Sequence, residues 1–411
     1  MDAPAPRKPA LGFIFVTLVL LILGFGIIIP VLPKLTVEFN GGNFAEGSNS
    51  YGWLVSIYAL MQFIAAPILG SLSDRFGRRK IILVALFGSA IDYVIMGFAP
   101  NLAWMFVARM ISGATAGALA TCNAYIADVT PPEKRAQAFG LVGAAFGFGF
   151  AIGPAIGGVL GGINIKLPFF AAAGCVGINA LYGAFVLPES LPVALRRPFS
   201  WARANPVGSL LALRRHRGVF DLALMHFINM FAQTILQSVW ALYTAYRYGW
   251  TTAQVGYSLT YIGVMTIVVQ GGLVRRIIGW TGERRGLVIG LIISAAAFAA
   301  YGSASHGWMI YVFVSLGVFG GIAGPAAQAL ITKHVSANEQ GAVQGALSGL
   351  VSLSAIFAPL LAAWSFGKYI AGSPHGTFQG IALYEASALV LVALALAFRS
   401  FHLDDRVGAA V

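Results

Sequence analysis

The sequence predicts an all-α membrane protein with twelve transmembrane helices in two pseudo-symmetric six-helix bundles. Three observations carry that prediction. Hydrophobic residues make up 58% of the 411 residues and charged residues only 10%, a balance foreign to water-soluble domains. Apolar runs of about eighteen residues or more recur from end to end, each able to cross a hydrocarbon core of roughly 30 Å. Finally, the basic cluster Gly70-Ser-Leu-Ser-Asp-Arg-Phe-Gly-Arg-Arg-Lys80, wedged between two such runs, has a weaker echo at Gly271–Arg276 and Gly282–Arg285. In lipid every backbone N–H and C=O needs a partner within its own segment, so the runs are helices.

Taken in order, the predicted spans are 10–33, 50–72, 80–98, 102–126, 137–161 and 168–187, then 219–244, 252–274, 286–304, 308–331, 342–364 and 378–398. The first follows Arg7 and Lys8 and is too long for a cleavable signal core, so it reads as a retained helix. Span 2 ends in the basic cluster, whose glycines permit a sharp turn into span 3. Span 5 is rich in glycine, with Pro154 inside it. These small residues admit a close helix neighbour, and the proline removes one backbone bond. The polar stretch 188–218 divides a first bundle, 1–187, from a second, 219–411. Within it Asn205-Pro206 resembles a helix cap and first position, followed by Val207, Leu210, Leu211 and Leu213. A short helix on the membrane surface is expected there. The ends of spans 4 and 10, Ala127–Ala136 and Thr332–Gly341, form a second repeated pair. Six helices separate equivalent positions, so the halves share one membrane orientation about an axis along the membrane normal.

The net charge of +12 is read as topology rather than as a nucleic-acid footprint. With the N-terminus in the cytoplasm, only Lys34, Lys166, Arg247 and Lys368 of the 26 Lys and Arg residues fall outside, and Arg109 lies within a span. That asymmetry puts both termini in the cytoplasm. Cys122 and Cys175 sit in apolar runs without metal-ligand spacing, so neither a disulfide nor a metal is expected. No Walker A, HExxH or GxSxG motif occurs, and Gly147-x-Gly149-x-x-x-Gly153 lacks the spacing and preceding strand of a nucleotide loop. No enzyme activity, direct ATP use or cofactor is expected.

Several polar residues stand out against this apolar background. Asp74 lies at the cytoplasmic surface, where span 11 begins, and a carboxylate facing a helix N-terminus is favourable by roughly 0.3–1 kcal/mol. Such a contact would latch the halves when a central cavity faces outward. In the echo of the cluster, an arginine aligns with Asp74. Asp92 and Arg109 sit at one depth on neighbouring antiparallel spans, where they could meet and lower each other's burial cost. Glu385, two turns into span 12, is a second intramembrane carboxylate. His226 reads as a packed histidine. Asn229, Gln233, Gln237 and Trp240 follow one face of span 7, a stripe that suits a cavity wall. Gln62 and Gln328 are supporting candidates for the same cavity.

These motifs resemble the major facilitator superfamily. Gly70–Lys80 is similar to its loop 2–3 signature, Arg109-x-x-x-Gly113 to its helix-4 arginine motif, and the span-5 run to its antiporter motif. That run comprises Gly143, Gly147, Gly149, Gly153-Pro154 and Gly157-Gly158. Within the superfamily the chain resembles bacterial tetracycline efflux proteins at Gly24–Pro33, Tyr58–Gln62, Asp92-Tyr93 and Tyr248–Trp250. The resemblance implies the major facilitator fold and transport driven by a proton gradient. It implies a gating role for Gly70, Asp74, Arg75, Gly77, Arg78, Arg79 and Asp128, with Arg75, Arg78 and Asp128 as ionic partners of Asp74. It also implies proton transfer at Arg109. The chain departs from that group at Leu21 and Ser294, where tetracycline exporters carry acids.

The sequence therefore leads to a monomeric secondary transporter of the bacterial inner membrane, exporting a small drug-like compound in exchange for protons by alternating access. Asp92, Arg109 and Glu385 are the proton-coupling candidates. An importer of a small metabolite and a non-transporting membrane sensor are the alternatives.

Overall fold

The computed structural model describes residues 11–199, 201, 217–333, 335, 340–373, 376 and 378–409. All regular structure among them is helical, in twelve spans. In the first bundle α1 comprises Leu11–Ile28 and Leu32–Phe39, α2 is Phe44–Phe76, and α3 is Arg78–Phe98. There α4 comprises Leu102–Thr115 and Ala118–Val129, α5 is Arg135–Ile163 and α6 is Leu167–Val186. In the second, α7 is Arg217–Tyr248, α8 is 252–281 and α9 is 283–303. There α10 comprises Gly307–Gly317, Val318–Ile322 and Ala323–Lys333, α11 is Gln340–Gly372 and α12 is Ile381–Ala409. The helical run from Thr252 to Ser303 is long enough for two crossings. Gly282, at φ 74 and ψ 165, turns the chain within it and separates α8 from α9. The surface helix expected within 205–213 lies outside the described residues.

Local chemistry explains where these helices start and stop. Asn43 caps α2 by accepting from the N–H groups of Ala45 and Glu46, and Asn101 caps α4 through Trp104 N–H. Thr251 and Gln254 form a reciprocal capping box at the start of α8. Each cap fills backbone donors that lipid would leave bare. Between α2 and α3 the turn is made at Gly77, φ 101 and ψ 150, a region essentially closed to residues with a Cβ.

The irregularities repeat with one period. Gly77 and Gly282, the two hinge glycines, lie 205 residues apart. So do Pro154 within α5 and Pro359 within α11. Pro67 within α2 corresponds to residue 272, inside the widened turn Val269–Leu273 of α8. The break in α4 between Thr115 and Ala118 corresponds to the tight turns of α10 at Val318–Ile322. Only a duplicated framework gives one offset to four unrelated kinds of distortion. On this register Asp74 aligns with Gly279. The alignment of Asp74 with an arginine is thereby corrected, because the hinge glycines set the register rather than the arginines.

The bundles meet mainly at the end away from the hinges. In α2, a Cβ on Gly52 would lie 2.9 Å from the Pro359 carbonyl of α11, and Ser48 Oγ donates to the Ala363 carbonyl at 3.0 Å. In the symmetry-related contact, Gly256 of α8 rests on the Pro154 carbonyl of α5, and Gly158 packs on the Thr252 carbonyl. Phe44, Tyr246 and Phe366 stack edge to face beyond them. Toward the hinges the surfaces part. Gly70, Gly140, Gly143, Gly271 and Gly272 have open space around them, and a hollow of about 390 Å³ is lined by Ala66, Pro67, Gly70, Ser71, Asp74 and Ala120. Because carbonyl and Cα atoms meet directly at the far end, side chains cannot relax to admit extra volume there. Gly256→Val is expected to destabilise the protein by about 1–3 kcal/mol through overpacking. Thermal unfolding in detergent checks this, with Gly271→Val, which meets open space, as the milder control.

Candidate functional site

Three groups of polar side chains occupy the interior and the hinge end. The first lies within the first bundle. Asp92 of α3 is completely buried, and Arg109 of α4 is 4% exposed. They do not form an ion pair. Arg109 Nε donates to the Leu54 carbonyl at 3.3 Å, and its guanidinium lies over the Tyr58 ring, 4.2 Å from the centroid. Its charge still reaches Asp92, Tyr51 and Tyr58. The Asp92 carboxylate is buried without a hydrogen bond of good geometry, with Ser112 of α4 beside it. Asp92 and Arg109 lie close enough for their charges to interact, but the arginine is held by α2 rather than by the aspartate.

The second group is the α7 stripe, which divides. Gln233 is half-buried and Gln237 exposed. Asn229 is 4% exposed, with its Oδ1 unpartnered. Trp240 is 2% exposed; its indole N–H donates to Ser258 Oγ at 3.1 Å and its ring meets Tyr301 edge-on. Trp240 is thus a packing residue between α7, α8 and α9, which corrects its assignment to the cavity wall. The stripe is straight on a helical wheel, but α8 and α9 cover its last turn. Gln62 is half-buried in α2. Gln328 is committed elsewhere, donating to Gln344 Oε1 at 2.7 Å and tying α10 to α11. On α12, Glu385 Oε2 is buried without a partner, beside Ser365 of α11.

Of the two positions departing from the tetracycline-exporter pattern, Leu21 packs against the apolar core. Ser294 is 2% exposed, and its hydroxyl presses on Gly320 of α10 so closely that no Cβ fits there. A longer acidic side chain at 294 has no space in this packing.

The third group surrounds Gly77. Arg78 Nη1 lies 2.6 Å from Asp74 Oδ1, and its Nε lies 3.1 Å from Asp128 Oδ2 at the end of α4. Asp74 therefore bonds within its own loop here. Arg75 turns instead over the Phe76 ring, and Arg79 donates to the Ala184 carbonyl of α6. The stretch after α6 straps this network down. Glu189 Oε1 accepts from the Arg78 N–H at 2.8 Å, which makes its carboxylate a cap supplied to α3 from a distant segment. Ser190 Oγ donates to Asp128 Oδ2 at 3.0 Å, Arg197 N–H donates to the Asp74 carbonyl, and Arg196 lies 3.9 Å from Glu189. Glu189, Ser190 and Arg196 were not among the sequence candidates. The lone carboxylate directly after a proline at the end of span 6 was the available signal.

A carboxylate on the first N–H of a helix satisfies an orphan donor and the positive helix end together. Glu189→Ala is expected to cost about 0.5–2 kcal/mol, the range for losing an N-cap. Thermal unfolding measures the loss, and Glu189→Asp tests whether a shorter carboxylate can still reach.

The α5 glycines of the antiporter-like run serve two neighbours. Gly149, Gly153 and Gly157 receive Ile22, Gly26 and Ile27 of α1, a Cβ on Gly153 falling 2.9 Å from Gly26 Cα. Pro154 and Gly158 face α8 across the bundle boundary. One helix thus packs tightly on its own bundle and on the other.

Comparison with known proteins accords with this architecture. A model of the Major Facilitator Superfamily matches residues 14–359 and again 222–409. The chain is 36% identical over 385 residues to the tetracycline resistance protein, class C, of Escherichia coli, covering 94% of this chain and 95% of that protein. It is 37% identical over 403 residues to the class D protein of Salmonella ordonez, covering 96% and 98%. Identity to multidrug resistance protein 2 of Bacillus subtilis is 30% over 345 residues, covering 82% and 84%. The human organic anion transporter MFSD10 superposes with a TM-score of 0.69 at 24% identity, covering 96% of this chain and all of that one. The nucleoside transporter NupG superposes at 0.74 with 13% identity, covering 95% and 98%, so both likenesses concern the fold alone. With a twelve-helix duplicated framework, its loop 2–3 network and these relatives in agreement, the chain belongs to the Major Facilitator Superfamily.

Proposed function

We propose that this protein is a secondary active transporter exporting a small, drug-like organic compound across the bacterial inner membrane in exchange for protons. The observation that carries the reading is the placement of the bundle contacts. The bundles touch through Gly52–Pro359 and Gly256–Pro154 and diverge toward the hinges at Gly77 and Gly282. With the basic loops and both termini in the cytoplasm, that arrangement is an inward-open state of an alternating-access cycle. The hinge-end network then closes the cavity when the bundles rock, with Asp74 leaving Arg78 for the start of α11.

Relatives named for tetracycline and multidrug resistance support export of drug-like cargo. Leu21 and the sealed contact of Ser294 with Gly320 favour a cargo other than tetracycline. Gln62, Gln233 and Gln237 are the polar groups we assign to the cavity, with Asn229 behind them. Asp92, fully buried without an ion pair beside an arginine held by α2, is the first candidate for the coupling acid, and Glu385 the second. A monomer in the bilayer suffices for this cycle, with the cargo and protons as its partners.

A thermal-shift screen of purified protein identifies the cargo, since a ligand at a hundredfold excess over Kd adds about 2.7 kcal/mol. In proteoliposomes with an imposed pH gradient, Asp92→Asn is then expected to lose gradient-driven flux while retaining cargo-induced stabilisation. Full gradient dependence in that variant removes Asp92 from proton coupling.

A further inference from the structure

The 205-residue register pairs more than kinks. Arg78, the first residue of α3 after the Gly77 hinge, corresponds to Glu283, the first residue of α9 after the Gly282 hinge. Asp128, at the end of α4, corresponds to Lys333, the last residue of α10. Each half therefore carries an ion pair joining the start of its third helix to the end of its fourth, but with the signs exchanged. Lys333 Nζ lies 2.7 Å from both Glu283 oxygens, while Arg78 lies 3.1 Å from Asp128. Preservation of a pair through reversal of both members is what a positional requirement leaves behind, since neither residue type is retained.

The reversal also changes how each pair sits in the helix fields. A helix start favours negative charge and a helix end favours positive charge. Glu283 and Lys333 obey both preferences, whereas Arg78 and Asp128 oppose both. In the first half the misfit is offset by further groups: Glu189 caps α3 and Arg78 divides itself between Asp74 and Asp128. In the second half Lys333 holds the Glu283 carboxyl below its usual range, chiefly through their hydrogen bond. That pair is thus fully formed above the ordinary carboxylate range and is lost only as pH falls through the lowered value. The neighbouring segments of α8 and α10 are joined as well, through the small apolar cluster of Val269, Val274 and Ile322.

We infer that Glu283 and Lys333 are positioning residues forming a fixed clamp, the polarity-reversed counterpart of Arg78–Asp128, which carries loop 8–9 and the end of α10 as one body. Under this division the first-half network exchanges partners during closure, and the second-half clamp does not. The inference rests on the alternating-access reading, and its test needs no transported compound.

In a background of Cys122→Ala and Cys175→Ala, spin labels on Gly140→Cys of α5 and Gly279→Cys of α8 report the separation of the bundles at the hinge end. A pair kept in both states adds no free-energy difference between them, so Glu283→Lys and Lys333→Glu are each expected to leave the ratio of open to closed distances in place while lowering the thermal unfolding midpoint in detergent. The double variant, which re-forms a pair, is expected to return the midpoint toward wild type. A shifted ratio, unchanged midpoints in the single variants, or a double variant no better than the singles overturns the clamp.

A second measurement asks whether the clamp is fixed. A short bis-thiosulfonate joining Glu283→Cys to Lys333→Cys should leave both distances sampled, whereas the same link between Asp74→Cys and Arg78→Cys, the contact that closure breaks, should remove one. Freezing by the first link overturns the assignment. Where a transported compound is in hand, the single reversals lower kcat and leave KM in place. Absence of flux for any compound, with the distance results intact, counts against the transport reading and not against the clamp.

Discussion

Glycine-to-carbonyl contacts hold the halves of this protein together. Gly52 on Pro359 and Gly256 on Pro154 bring four helices within backbone distance at the end away from the hinges. In lipid there is little hydrophobic gain from joining two apolar surfaces, so close packing of small residues is the attraction that remains. Confining that packing to one end leaves the other free to part. The α5 glycines then bind α1 equally tightly, so a movement at the bundle boundary passes to the first bundle as a whole.

Duplication explains why these contacts come in twos, and the departures from it show where the halves have specialised. Prolines, hinge glycines and helix breaks keep their register because each shapes the backbone. Charges are freer to change, provided that the contact survives, as the reversed pair at Glu283 and Lys333 illustrates. The strap of Glu189, Ser190 and Arg197 over loop 2–3 stabilises a polarity that the helix ends themselves oppose. The two hinge loops therefore have unequal electrostatic settings on one geometric plan.

Much of the fold was legible in the residues. The uncharged runs read directly as helices, and the glycines of Gly70–Lys80 as the turn between the second and third, whereas the caps at Asn43, Asn101 and Thr251 emerge from the structure. The register of the repeat was less legible. Arginines drew the alignment toward Arg275 and Arg276, whereas the chain turns at Gly282, and only its positive φ identifies the equivalent of Gly77. In the interior, helical spacing placed Asn229, Gln233, Gln237 and Trp240 on one face. It carried no information about α8 and α9, which enclose Trp240. Likewise residue counting suggested that Asp92 and Arg109 could meet, while the claim of the Leu54 carbonyl and Tyr58 ring on Arg109 depends on α2.

By itself the sequence determined what lipid demands locally: which segments are helical and where charged stretches interrupt them. Those properties follow from composition and from hydrogen bonds closed within single segments. The tertiary structure decided which polar groups meet, that Arg78 divides between Asp74 and Asp128, that Ser294 closes on Gly320, and at which end the bundles touch. Such contacts join residues distant in the chain, and their geometry arises only when rigid helices are packed against one another.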